Sequence, residues 1–255
     1  MKKIRTVICL SALSAIATSL VSCFDGVENE YRVTVPTFAT VTHDEAGHVR
    51  LYLDEGRGIL EPGPKSADIN WGDAVRVMIK YDLPIIGSET TSMESVRFKG
   101  IVRNAVKLDT VALVNATGMD KAQVDALDKD TVLAFNFHAY WGYITMQAWT
   151  ANNFNFDMTC SYDTTGFDGE NLYLKMHYAE KKGTWNYDFL QTATARLPEF
   201  LTQKGVVTSD SLNIIMTAPV WYNANRDSVY TDTVKFKISR GRLAAPTYNY
   251  TTGGY

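Results

Sequence analysis

Along most of this chain apolar residues recur at every second position, and the helical spacing of three and four is rare. In Val49-Arg-Leu-Tyr-Leu53 the apolar residues Val49, Leu51 and Leu53 alternate with Arg50 and Tyr52, and an Asp54-Glu-Gly-Arg-Gly58 turn follows. Val75, Val77, Ile79 and Tyr81 alternate with Arg76, Met78 and Lys80. A longer run from Val96 to Leu108 keeps Val96, Phe98, Val102, Val106 and Leu108 on one parity and Arg97, Lys99, Arg103 and Lys107 on the other. Strict alternation predicts strands with one face buried and one wet. With Val33, Val35 and Phe38 to Val41, these make about five strands in residues 32–113, one long enough to bend at Gly100. That suits a small curled barrel.

Period two resumes in 131–137, 140–149, 154–162, 172–178, 211–217 and 231–239. Six or seven such strands over residues 131–240 predict a sandwich of two antiparallel sheets. The expected fold is therefore all-β, a barrel followed by a sandwich. Between them, residues 114–130 read as a connector, with Asp120 capping a short helix at Lys121 and Gln123 at the capping-box position. Pro198 and Gly205 bracket one more short helix. Residues 241–255 hold Gly, Pro, Thr and Tyr without periodicity and read as a flexible tail.

The N-terminus departs from this pattern. Lys2, Lys3 and Arg5 precede an apolar stretch from Thr6 to Leu20, which ends in Leu20-Val21-Ser22-Cys23. This is the layout of a bacterial export signal closing on a lipobox, so residues 1–22 read as a lipoprotein signal peptide and Cys23 as the lipidated residue. Two or more acyl chains hold a protein to a membrane durably, at about 0.8 kcal/mol per buried methylene. Residues 23–31 then form a polar tether. The expected location is the cell envelope, lipid-anchored at the outer membrane, with the periplasmic or surface face undecided. Loss of residues 1–22 would remove three cations and no acid, leaving 22 basic against 28 acidic residues and a formal charge of −6. That balance argues against nucleic acid as a partner. Cys160 would be the one remaining thiol, placed on an inward strand face and read as structural.

Motif chemistry is sparse: there is no HExxH, CxxC, GxSxG, Walker loop or GxGxxG. No catalytic residue, metal or cofactor is expected, and the chain does not read as an enzyme. His43 and His48 flank a hairpin but make no closed metal site by themselves. Asp163, Asp168 and Glu170 share a Gly-containing loop that lacks EF-hand spacing and reads as solvated. The Arg97/Lys99/Arg103/Lys107 stripe reads as a solvated or interdomain face, with an acidic peptide or glycan partner as the alternative. Trp141, Tyr143 and Trp149 fall on the parity opposite Tyr140, Ile144 and Met146. Three large rings there need cover from the barrel or loops, or else they form a binding surface for a partner or sugar.

The order of these parts resembles the NigD-like lipoproteins of Bacteroidota. The residues that carry the resemblance are the lipobox, Val49–Gly56, Trp71–Tyr81, Asp130-Thr-Val, the aromatic run Tyr140–Trp149 and the closing Asp232–Ile238. The resemblance implies an OB-type N-terminal barrel, a C-terminal β-sandwich and a non-catalytic role toward another protein, with bacteriocin immunity as one version. A glycan-binding accessory lipoprotein is the alternative. Within that group, Asp followed by Ser or Thr at Asp109, Asp130, Asp163, Asp210, Asp227 and Asp232 matches an O-glycosylation acceptor pattern, although Asp-Thr-Val also simply opens strands.

Overall fold

The computed structural model describes residues 31–33, 36–55, 57–84, 97–128, 131–149, 154–185, 190–222 and 228–248. Cys23, the expected signal and nearly all of the tether lie outside them.

The first module is built from β1 (Tyr31–Val33), β2 (Thr37–His43), β3 (Val49–Leu53), β4 (Ile59–Pro62), β5 (Arg76–Pro84) and β6 (Arg97–Lys107). β5, β2, β3, β4 and β6 pair in that order, and β6 returns to β5, which closes a five-stranded barrel with β1 added outside β5. The pairings are antiparallel except between β4 and β6, which run parallel. This is the OB connectivity. Ala39, Leu51, Leu53, Leu60, Val77, Ile79, Tyr81 and Val102 fill the barrel, so the period-two reading of β2, β3 and β5 gives the inward residues correctly.

In β6 the alternation fails, for a local reason. Lys80 faces Asn104 while Tyr81 faces Val102, so Arg103 is an extra residue with no opposite number. Such a β-bulge turns the following side chains to the other face. Val102 is buried, Arg103 and Asn104 both point outward, Ala105 packs inward, and Val106 is exposed. The expected apolar face through Val106 therefore stops at Val102.

The second module is a two-layer sandwich. Its strands are β7 (Asp109–Thr110), β8 (Leu113–Asn115), β9 (Ala134–Tyr140), β10 (Tyr143–Trp149), β11 (Phe154–Tyr162), β12 (Asn171–Trp185), β13 (Leu190–Arg196), β14 (Ser211–Trp221) and β15 (Val229–Ser239). One sheet runs β7-β13-β10-β9 and the other β15-β14-β12-β11-β8. Neither is purely antiparallel as expected: β7 pairs β13, β8 pairs β11 and β12 pairs β14 in parallel, the last because the chain crosses to β13 in the other sheet between them. Phe135, Phe137, Ile144 and Met146 meet Leu174, Met176, Ile214 and Met216 in the common core. Cys160 is wholly buried there, and burial pushes its thiol far above its ordinary range. β7 and β8 already belong to the sandwich sheets, so the barrel ends near Leu108, short of the expected boundary at 113.

The connector helix forms at Lys121–Asp125 with the full capping box: Asp120 accepts from the Gln123 amide and Gln123 reaches back to Asp120. The second expected helix is a 3-10 turn, Glu199–Thr202, entered from Pro198. Residues 241–248 are not a free tail. Leu243 is buried, the Gly142 amide donates to the Arg242 carbonyl (2.9 Å), and the Tyr52 hydroxyl donates to the Thr247 carbonyl (2.8 Å).

Candidate functional site

The aromatic strand singled out in the sequence lies where the two modules meet. β9 and β10 face each other with Tyr140 opposite Tyr143, leaving Trp141-Gly142 as a two-residue hairpin loop. Both have positive φ, 53° and 78°, as a type I′ turn demands. Tryptophan is a poor residue for that conformation, which costs an L-residue about 1–2 kcal/mol. What offsets this strain is burial. Trp141 is 2% exposed, its indole N–H donates to the Leu53 carbonyl (3.0 Å), and its ring meets Tyr52 edge-on at 5.3 Å. Ile59 completes this small cluster, and the Arg242 guanidinium lies 5.1 Å from the ring. The hairpin tip of the sandwich is thus driven into the outer wall of the barrel.

Tyr143 is also buried and Trp149 half-buried, so Trp141 and Tyr143 offer no open platform to a ligand. Gly142 seats the C-terminal segment: a Cβ there would lie 2.3 Å from the Ala245 nitrogen. Gly142→Ala is expected to displace residues 242–248 from the hairpin, read out as faster proteolysis after Arg240 and a lower melting temperature. Unchanged cleavage would show that this packing does not hold the segment.

Beside the indole lies a sealed polar network. The Arg76 guanidinium grips Asp54 with two bonds (2.8 and 2.5 Å) and also donates to Thr40 (3.0 Å) and, across the interface, to Thr145 (2.8 Å). His138 Nε2 lies 3.2 Å from the same carboxylate. Burial pushes the Asp54 carboxyl up, but Arg76 and His138 outweigh it and leave the group below its ordinary range. Arg76 Nε is buried without a partner. Arg76, Tyr52 and Asp54 occupy positions that alternation alone assigns to solvent; the sandwich covers them.

A third cluster was not legible in the sequence. Ser161 on β11 and His177 on β12 share the outer face of the larger sheet, beneath the connector. Ser161 Oγ lies 2.7 Å from His177 Nε2, and His177 Nδ1 lies 2.5 Å from an Asp128 oxygen. Lys175 holds the other Asp128 oxygen (2.5 Å) and reaches Asp125 (3.2 Å). With Nδ1–H donating to Asp128, Nε2 accepts a hydrogen bond from the Ser161 hydroxyl. Burial raises the Asp128 carboxyl, but the bonds from His177 and Lys175 prevail and lower it.

Such an order of groups can move a proton off a serine. Access decides otherwise. Ser161 is 2% exposed, and its backbone sits between partners on both sides, Val114 on β8 and Lys175 on β12. A nucleophile needs room for a carbonyl and donors for the oxyanion, and a buried serine whose strand is paired on both sides has no room. The cluster works as a clasp that holds the connector to the sheet. Ser161→Ala is expected to cost about 1–3 kcal/mol, because it leaves buried His177 Nε2 unpaired. A fluorophosphonate probe is expected to leave native Ser161 unlabelled, and stoichiometric labelling would overturn this reading.

The weaker expectations resolve locally. His48 Nδ1 bonds Asp44 at 2.7 Å, while His43 is exposed at the end of β2. Asp163 accepts from the Thr165 amide, and Asp168 accepts from the Glu170 and Asn171 amides, so both carboxylates close their own loop turns. Among the described residues no three His, Cys, Asp or Glu side chains cluster closely enough to hold a metal. The basic stripe divides at the bulge: Arg103 bonds Asp82 (2.6 Å), and Arg103 and Lys107 border a hollow on the barrel that Arg97 and Lys99 do not line.

No family model matches the chain, and no curated protein does. Solved structures share its fold. A protein from Parabacteroides merdae superposes with a TM-score of 0.58 at 10% identity, over 81% of this chain and 99% of its own. One of unknown function from Bacteroides vulgatus gives 0.54 at 13%, over 88% and 96%. A NigD-like immunity protein from Bacteroides caccae gives 0.51 at 11%, over 81% and 94%. At these identities the likeness is one of fold.

Proposed function

We propose that this chain is a lipid-anchored envelope protein that recognises another protein without catalysis, in the manner of an immunity protein. The observation that carries the reading is a surface at one end of the sandwich. β15 is an edge strand of 11 residues, and Tyr222, Val229 and Tyr230 stand 56%, 50% and 39% exposed where it meets β14. Two tyrosines and a valine grouped at a sheet edge suit strand addition by a protein partner, with aromatic anchors beside it. Support also comes from the shared fold with a NigD-like immunity protein, and from a barrel and sandwich fastened together as one platform. A mobile lid or an open catalytic cleft is not what this arrangement favours. Sugar recognition by the aromatic strand loses its basis, because Trp141 and Tyr143 are buried.

No helix among the described residues is long and apolar enough to cross a membrane, so in this reading attachment rests on Cys23. Cys23→Ala is expected to abolish incorporation of a fatty-acid analogue in the native host, and undiminished labelling would remove the anchor from the account. The recognition role is tested by deleting the gene and exposing cells to antibacterial peptides and proteins secreted by related strains. Sensitivity should rise, the full chain should restore resistance, and a Tyr230→Asp chain should not. A deletion strain as resistant as its parent to every such agent would refute the immunity version.

A further inference from the structure

The hollow on the barrel has no role in the protein-recognition reading, and it has the makings of a binding site of its own. Its volume is about 320 Å³, inside the ~300–1,000 Å³ span of small-ligand sites. The floor is apolar: Val77 belongs to the barrel core, and half-buried Trp71 and Ala105 pack against it. The wall is fixed in advance. The loop after β4 is stapled to β6 by the Gly63 amide to the Gly100 carbonyl (2.8 Å) and the Ala67 amide to the Val102 carbonyl (2.9 Å), and Ser66 Oγ accepts from the Val102 amide (3.0 Å).

Chemistry converges on this space from the opposite wall. The bulge in β6 turns Arg103 and Asn104 outward together, which regular alternation would forbid. β-bulges recur where a strand must re-aim a side chain at a site. Arg103 is positioned from behind, its Nε bonded to buried Asp82, and its terminal nitrogens make no other bond among the described residues. Among the described residues Lys107 has only a 4.0 Å contact with fully exposed Asp73. The Asn70 and Asn104 amides also line the space and make no hydrogen bond within the described chain. Asp68 is the one acid among the described residues that line it.

Two under-used cations, two free amides and an indole floor, on an acidic protein, select a particular ligand. The cations take a carboxylate, the amides and Asp68 take hydroxyls, and the indole takes the C–H face of a ring. We propose that this hollow binds an acidic sugar of the uronic-acid class. An acidic peptide would use the cations but would leave the indole and amides without a purpose.

Calorimetric titration of the full chain in detergent tests this, with glucuronate and an oligogalacturonate as probes, glucose and maltotriose as neutral controls, and a glutamate-rich peptide as competitor. The uronates should bind at least tenfold more tightly than the neutral sugars and than the peptide, and more weakly as salt rises. Arg103 is a poor position for the test, since replacing it strands buried Asp82. Lys107→Glu and Asn70→Ala alter exposed side chains, and each should weaken uronate binding tenfold or more while melting stays unchanged. The proposal is overturned if uronates do not bind, if neutral sugars or the peptide bind as well, or if Lys107→Glu binds like the wild type.

Discussion

Trp141→Ala is expected to lower stability by about 3–5 kcal/mol, the range for a large ring removed from a packed site. The loss combines an emptied cavity beside Tyr52 and Ile59 with an unpaired Leu53 carbonyl. Trp141→Gly should be less damaging than Trp141→Ala by about 1 kcal/mol, despite removing one more carbon. At φ 53° glycine carries no penalty, whereas alanine keeps the strain that the indole's contacts had offset. Equilibrium denaturation of the three proteins measures both differences. If Trp141→Ala melts like the wild type, the ring does not join the modules, and the surface reading of the aromatic strand returns.

Asp54→Ala should cost a similar amount, about 3–5 kcal/mol, because it leaves the Arg76 guanidinium buried and unpaired. The paired replacement Asp54→Leu with Arg76→Met should be much milder than Asp54→Ala alone, since it buries no charge. Acid provides a second readout. A carboxyl held below its unfolded pKa of about 3.9 contributes stability that is complete above that value and is lost as pH falls through the folded pKa. Asp54 is held low, so wild-type stability should drop steeply below about pH 4, and Asp54→Asn should show a shallower drop. An equal acid dependence in both proteins would mean that this pair does not govern acid unfolding.

These positions show what alternation reveals and what it hides. The inward residues of β2, β3, β5, β10 and β14 follow from period two, because each strand has a wholly buried side. Alternation does not say what lies on the other side. Tyr52, Asp54 and Arg76 occupy outward positions of the barrel, yet the sandwich seals them, and nothing local to the barrel sequence announces that contact. β4 and β13 are missing from the pattern for a different reason. Ile59 and Leu60 are buried on opposite faces of a four-residue strand, and Leu190–Arg196 carries alanine and threonine where larger residues would mark the period. The bulge at Arg103 inverts the second half of β6, so an apparent stripe of four cations is really two groups. Ser161, His177 and Asp128 are separated by 16 and 49 residues along the chain and meet only through strand register and the capped connector.

Barrel and sandwich form one fastened body, with the aromatic hairpin as its bolt. Calorimetric unfolding of the full chain in detergent, followed in parallel by tryptophan fluorescence, tests it directly. One transition, coincident by both probes and splitting into two when Trp141 is replaced by alanine, is the predicted result. Two separate transitions in the wild-type protein, unmoved by Trp141→Ala, would contradict it.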